Sequence, residues 1–423
     1  LLYLLYSLVT YVLLPFSLLR LWWRGRQSPA YRQRWRERLG WYSPRNKVAT
    51  GPRVVFHAVS VGEVHAAQPL IEMFLRQHPG IHVLVTTSTP TGSERVSTLF
   101  GNKVEHVYLP WDLRGPVQRF VRCYQPRLLV LLETELWPNL LRACAQQHCK
   151  VVLANARLSE KSFHSYQRFA GLTREVLAEL TLVAAQAEAD GTRFLDLGLK
   201  PDKLRINGSL KFDVSIPEEK IERARQLKAG WHQRPVWIAA STRAGEEVKV
   251  LAAHQQLLAT LPHALLLLVP RHPERFAEVG AQAQGLGLQV QYFSKDEPLA
   301  PATQVLLGDT MGDMVLYYSL ADVAFVGGSL VNTGCQNIIE PAALGLPVIT
   351  GPSLFNFQKV SDLLRDAGGM LVVEDSTALA QAVQRLLQDA VARSETGSKA
   401  RAEVLRNQGA AERLNEMLAV LLQ

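Results

Sequence analysis

Cysteine is scarce in this chain: Cys123, Cys144, Cys149 and Cys335 are the only four in 423 residues. Cys144 and Cys149 flank His148, but no second ligand pair accompanies them, so free thiols in a reducing compartment are the expectation and a metal site is not. No GxGxxG, P-loop, HExxH or paired CxxC occurs. That argues against the common dinucleotide, nucleoside-triphosphatase and zinc chemistries. Low-complexity and disorder-prone tracts are also missing, and 48% hydrophobic with 20% charged residues is the composition of a globular α/β protein.

A further absence is local. Leu1 to Leu19 carries no Asp, Glu, Lys or Arg. As a helix it would be about 28 Å long, close to the roughly 30 Å hydrocarbon core of a bilayer. Seven arginines against the single acid Glu37 follow between Arg20 and Arg38. A cleavable signal peptide has its positive charge before the apolar run; here it comes after, with no small-residue cleavage site. The expectation is a membrane anchor over 1–23 that leaves the rest of the chain cytoplasmic. Pro15 leaves spanning and surface-lying arrangements both open. Basicity beside an apolar run points to anionic lipid, and nucleic acid is not expected without a basic aromatic module. Arg24–Arg38 reads as one basic helix on the membrane, and Ser43 to Pro52 as a linker, so 24–52 is juxtamembrane. Because residue 1 is Leu, position 1 is not expected to be the start of translation.

From Arg53 short apolar runs alternate with helical patterns. Val54–Val59, Ile81–Thr86, Leu128–Leu132, Val151–Ala154 and Leu182–Ala185 precede a polar stretch, Asn207–Pro217. The alternation restarts with Val236–Ala240, Leu265–Pro270, Leu288–Gln291, Gln304–Leu307, Val323–Val326, Val348–Ile349 and Met370–Val373. Such patterns predict parallel sheets covered on both faces. The fold class expected is α/β, with two doubly wound, Rossmann-like domains, 53–212 and 213–423, facing a cleft at their strand C-termini.

Candidate chemistry clusters at those strand ends. In Phe325–Ile349 an apolar strand runs into Gly327-Gly328, Asn337 is placed to cap a helix, Glu340 lies in its first turn and Gly345 ends it. Free N–H groups at such a turn hold anions; an ordinary βαβ connection has the same pattern. Glu63, after Ser60-Val-Gly, is either a general base or a complement to a helix dipole. Glu133 and Glu135 follow a buried strand, where acids must be capped, paired or used. Thr86–Gly92 offers hydroxyls to a polyol or phosphate, or else an ordinary helix cap. Lys211 is either a neutraliser of a departing phosphate or a solvated linker residue. Arg271 grips phosphate as Lys could not. His272 reads as a loop residue, and Met311–Asp313 offers backbone groups to a base or phosphate.

Taken together, Arg24–Arg26, Tyr31–Arg34, Ser60–Glu63, Thr89–Glu94, Glu133–Asn139, Asn155–Arg157, Gly208–Asp213, Pro270–Phe276, Gly308–Met311 and Gly327–Val331 resemble the 3-deoxy-D-manno-octulosonic acid (Kdo) transferases of Gram-negative inner membranes. The resemblance extends almost to Gln423. It implies a GT-B glycosyltransferase, inverting and metal-independent, without a cofactor, moving Kdo from CMP-Kdo to the tetraacylated lipid A precursor at the cytoplasmic face. It assigns Glu63 as base and Glu133 and Lys211 as transition-state stabilisers. CMP contacts would come from Pro270, Arg271, Met311, Gly312, Asp313, Asn337, Ile338, Ile339 and Glu340. The chain departs from many relatives at Cys335-Gln336, where Gly-His is common. A sugar-nucleotide epimerase of the same fold would need no lipid anchor. A non-catalytic sugar-nucleotide-binding protein would not need Glu63 and Glu133.

Overall fold

Apolar runs with no alternation can be buried only if both faces of the sheet are covered, and the computed structural model, which describes residues 2–42, 52–231 and 233–423, has this arrangement twice. The linker expected over 43–52 lies, apart from Pro52, outside the described residues. Contacts divide the chain into two units, Leu1–Asp213 with Gln408–Gln423, and Val214–Asn407.

In the first unit the strands are β1 (Arg53–His57), β2 (His82–Thr87), β3 (Glu105–Tyr108), β4 (Leu128–Leu132), β5 (Lys150–Ala156), β6 (Leu182–Ala185) and β7 (Leu204–Ile206). They form one parallel sheet in the order β3-β2-β1-β4-β5-β6-β7. Alternate residues feed opposite cores: Val54, Phe56, Leu128 and Val130 pack on one side, Val55, Leu129 and Leu131 on the other. Truncating one such leucine to alanine costs roughly 2–5 kcal/mol. The sequence expectation missed β3 and β7, two edge strands that carry Glu105, His106 and Arg205 and so break the apolar run.

The second unit repeats the plan with β8 (Val236–Thr242), β9 (Leu265–Pro270), β10 (Val290–Tyr292), β11 (Val305–Leu307), β12 (Val323–Val326), β13 (Val348–Thr350) and β14 (Met370–Val372). All pairs are parallel, in the order β10-β11-β9-β8-β12-β13-β14.

Two expectations need correction. The segment 213–423 is not wholly one domain, because the helix Ala410–Leu422 belongs to the first unit. Leu414, Leu418 and Leu422 recur every four residues and join the core of Leu70 and Phe74. Asp213 accepts from Gly409 N at 2.6 Å and Ala411 N at 2.7 Å, satisfying N–H groups that a helix start leaves open. Nor is Arg24–Arg38 one helix. The first helix, Leu2–Gln27, takes Arg24 and Arg26; a 3-10 turn, Pro29–Arg32, and a short helix, Trp35–Arg38, follow. Arg34 sits at φ 56 between them, outside helical conformation. Its guanidinium binds both Glu37 oxygens at 2.8 Å and the His106 carbonyl at 3.1 Å, and Arg38 is buried against Tyr108. Half of the expected basic helix is therefore spent inside the first unit.

Candidate functional site

In the first unit the strand order reverses between β1 and β4, the place where open α/β sheets leave a crevice beyond the strand C-termini. β1 leads into the helix Val61–Gln77, whose N-cap is Ser60. Glu63, three residues on, is held at the helix start: it accepts from Val59 N at 2.7 Å and from the Ser60 hydroxyl at 2.9 Å. Gly62 is exposed, and a Cβ there would meet only Ser60 Oγ, at 3.9 Å, so the flank of Glu63 stays open. The glycine is not needed for a tight turn, since its φ is not positive.

From the end of β4, Glu133 and Glu135 project towards the same carboxylate. Glu133 is held at φ 59, a conformation costing a non-glycine residue about 1–3 kcal/mol, and its N–H donates to Ala154 O of β5. Burial, opposed by the Val59 and Ser60 bonds and helped by the Glu133 charge, raises the Glu63 pKa above the usual carboxylate range. Burial first, and then the Glu63 charge, pushes Glu135 up to about 7. Glu63 and Glu135, both raised and close to one another, make a site poised to take up a proton. The sequence signal for Glu135 was its position two residues after Glu133; what it lacked was the neighbour, Glu63, from another strand.

Lys211 is not a linker residue. Its turn, Leu210–Phe212, packs on the helix Val61–Gln77 and is pinned by Leu210 N donating to Asn155 Oδ1 at the end of β5. Glu63, Glu133 and Lys211 thus follow or adjoin the C-terminal ends of three adjacent strands, β1, β4 and β5. Three hydroxyls of Thr86–Gly92 turn inward instead, while Thr91 is exposed. Thr86 meets His57, Thr87 meets His106, and Thr89 caps the helix Pro90–Phe100. Burial lowers the His57 pKa to about 4, so it stays neutral in the core. Cys144 and Cys149 are buried free thiols while His148 is exposed, and among the described residues no group of three metal-ligating side chains occurs.

The second unit corrects the expectation for Gly327-Gly328. Its amides do not wait for a ligand: Gly328 N, Ser329 N and Leu330 N donate to the Glu246 carboxylate at 2.6, 3.1 and 2.9 Å. Glu246, fully buried at the start of the helix Glu247–Leu258, also accepts from Arg243 N. The turn is an anion nest whose anion is internal. No residue can replace Gly327 without a clash, because its Cβ would lie 2.7 Å from Glu246 Oε2. The next helix is also shorter than expected. It runs Ile339–Ala343, so Asn337 does not cap it and five residues carry little dipole. Asn337 instead accepts from Ile339 N at 3.0 Å and donates to Glu340 at 3.0 Å, fixing that carboxylate.

Pro270 ends β9 and Arg271 follows, its N–H bonded to Thr242 O. Burial first, and then Arg243, lowers the Arg271 pKa. Met311 is exposed, Gly312 has φ 86, and Asp313 is bound by Lys220 and by Thr310 at 2.6 Å, which hold its carboxyl below the usual range although burial opposes them. Within the second unit the expected donor residues therefore follow the C-terminal ends of β9, β11 and β12.

Residues 33–214 match the family model described as 3-deoxy-D-manno-octulosonic-acid transferase (kdotransferase). The 3-deoxy-D-manno-octulosonic acid transferase of Haemophilus influenzae is 42% identical over 94% of this chain and 93% of its own length. That of Bordetella pertussis is 39% identical over 98% of each. Among solved structures, the UDP-GlcNAc 2-epimerase of Neisseria meningitidis overlays 87% of this chain and 99% of its own, with a TM-score of 0.58 and 14% identity. A glycosyltransferase of Rickettsia africae covers 89% and 100%, with a TM-score of 0.54 and 14% identity. These two likenesses speak for the GT-B fold alone.

Proposed function

From a chain that belongs to the Kdo transferase family, and is a glycosyltransferase of lipopolysaccharide biosynthesis, we propose a specific reaction: transfer of Kdo from CMP-Kdo to the tetraacyldisaccharide lipid A precursor, with inversion and without a metal. The observation that carries it is the Glu63 carboxylate, held by two donors on an open flank, beside carboxyls that raise its affinity for a proton. In this reading the acceptor hydroxyl attacks the anomeric carbon of Kdo as Glu63 takes its proton. The bond from that carbon to the phosphate oxygen breaks, and the electron pair leaves with CMP. Lys211 and Arg271 answer the negative charge on the departing phosphate, and Glu133 supports the positive charge developing on the sugar ring. Pro270, Met311, Gly312, Asp313 and the run Asn337–Glu340 hold CMP, with Glu340 set by Asn337 to receive ribose hydroxyls.

An acceptor that carries acyl chains calls for a membrane surface. The helix Leu2–Gln27 is long and apolar enough to cross one. We read it as lying along the bilayer instead. In support, Tyr3 is buried under Arg142, Tyr6 bonds Asp112, Ser7 donates to Asn139 at 2.7 Å and Tyr11 accepts from Gly115 N, so the first three turns are tied to the rest of the first unit. Leu8, Phe16 and Trp23 on the other side are 62–67% exposed. Such a two-faced helix suits burial in the headgroup and acyl boundary of the cytoplasmic leaflet.

The reaction is tested with purified chain, CMP-Kdo and the precursor in detergent, in chelator, with products weighed by mass spectrometry. A mass increase of one or more Kdo units with release of CMP is expected. Donor hydrolysis without a glycosylated lipid would remove the acceptor assignment.

A further inference from the structure

Resting on the donor reading above, we propose that Arg243, side by side with Arg271, is the recognition residue for the carboxylate of the donor sugar. Parallel pairing aligns Thr242 of β8 with Pro270 of β9, so the residues that follow, Arg243 and Arg271, emerge together at adjacent strand ends. They are brought there by a bulge: the register shifts between Ala240 and Thr242, and Ser241 takes φ 56. Bulges of this kind re-aim side chains at functional edges.

Two guanidinium groups at one edge repel each other unless an anion lies between them. Among the described residues neither makes an ion pair with a carboxylate. The nearby Arg275 is spent on Glu247 and Glu278, and Glu246 gives its oxygens to backbone N–H groups. Arg243 bonds His272 Nε2, which a neutral imidazole supplies as acceptor, and the lowered His272 pKa keeps the ring neutral. At the same edge two buried polar atoms, Arg243 Nε and Thr242 Oγ1, have no partner, and Thr242 is 1% exposed. Unpaired polar atoms and an uncompensated double charge at one strand end describe a site for a dianion.

A nucleotide of an ulosonic acid has such a pair of charges. Its anomeric carbon bears both the phosphodiester and a carboxylate, so the two anions are separated by about the spacing of two neighbouring guanidinium forks. Arg271 answers the phosphate. Arg243, steadied by His272, answers the carboxylate, a group that nucleotides of ordinary aldoses lack. This residue therefore sets specificity for a keto-acid sugar.

The test compares two ligands on the whole two-unit chain: CMP, which has the phosphate only, and CMP-Kdo, which has both anions. Arg243→Gln is expected to leave CMP affinity within about twofold while weakening CMP-Kdo, measured by KM and by direct binding, roughly 10- to 100-fold. Arg243→Lys should fall between, since charge remains but the planar fork is lost. The wild-type chain should bind a carboxamide analogue of the donor as weakly as Arg243→Gln binds the donor itself. Equal weakening of CMP and CMP-Kdo would make Arg243 a phosphate ligand or a structural residue and overturn the proposal, as would no weakening of either. A folded wild-type chain that binds no CMP would instead overturn the donor reading on which the proposal rests.

Discussion

At the residue scale the chemistry turns on whether Glu63 only holds the helix start or is also the proposed base, and its geometry is compatible with both. The bonds from Val59 N and the Ser60 hydroxyl orient the carboxylate, so Glu63→Gln can keep the helix start while losing the base. Transfer should fall about 10²–10⁴-fold, with CMP binding and melting temperature little changed. Near-normal turnover in that variant would end the assignment. Glu135 makes a separate forecast in pH. In the folded chain it holds its proton up to about 7, whereas an unfolded glutamate releases it near about 4.3. Between those values the folded state binds more protons, so this group lowers stability as pH rises through the window. Glu135→Gln should therefore match wild type below about pH 4 and melt higher at pH 8. Because Glu135 keeps its proton up to about 7, it carries no charge while the acidic limb of kcat/KM develops, so Glu135→Gln should leave that limb in place. A limb that moves in this variant would show that Glu135 is already ionised beside the base.

At the scale of elements, the Gly327-Gly328 turn is held by a carboxylate from the neighbouring strand's connection. In Glu246→Ala four backbone N–H groups, those of Gly328, Ser329, Leu330 and Arg243, lose their acceptor, each buried one at roughly 1–3 kcal/mol if nothing replaces it. That variant should melt well below wild type, and added phosphate should raise its melting temperature more than that of wild type, since the emptied nest can take an external anion. If phosphate moves both proteins equally, the nest does not exist as described. The turn was visible in sequence as Gly-Gly after an apolar strand. Its occupant was not, because Glu246 lies 82 residues from Gly328 and reaches it only through the pairing of β8 with β12.

At the scale of the whole molecule, the N-terminal helix has two faces with different jobs, and they can be separated. Replacing Leu8, Phe16 and Trp23 by Gln should release the chain from lipid vesicles with little change in melting temperature. Tyr3→Ala should do the reverse, lowering stability by up to about 3 kcal/mol while membrane binding persists. Vesicle flotation and thermal melting of both variants check this. A helix that truly spanned the bilayer would instead leave its first residues accessible to labelling from the far side.

The sequence by itself determined the class of fold, because apolar runs of strand length are stable only inside covered parallel sheets. It also determined the strand ends on which Glu63, Glu133 and Arg271 sit, since motif and strand are neighbours in the chain. Only the tertiary structure decided which groups meet there. Glu135 faces Glu63, Glu246 fills the glycine turn, Arg243 stands beside Arg271, and the helix Ala410–Leu422 returns to the first unit through Asp213. The physical reason is the same in each case. An amphipathic helix or an isolated acid reads alike whichever partner it finds, and the partner is chosen by strand order, bulges and backbone N–H groups that need an acceptor.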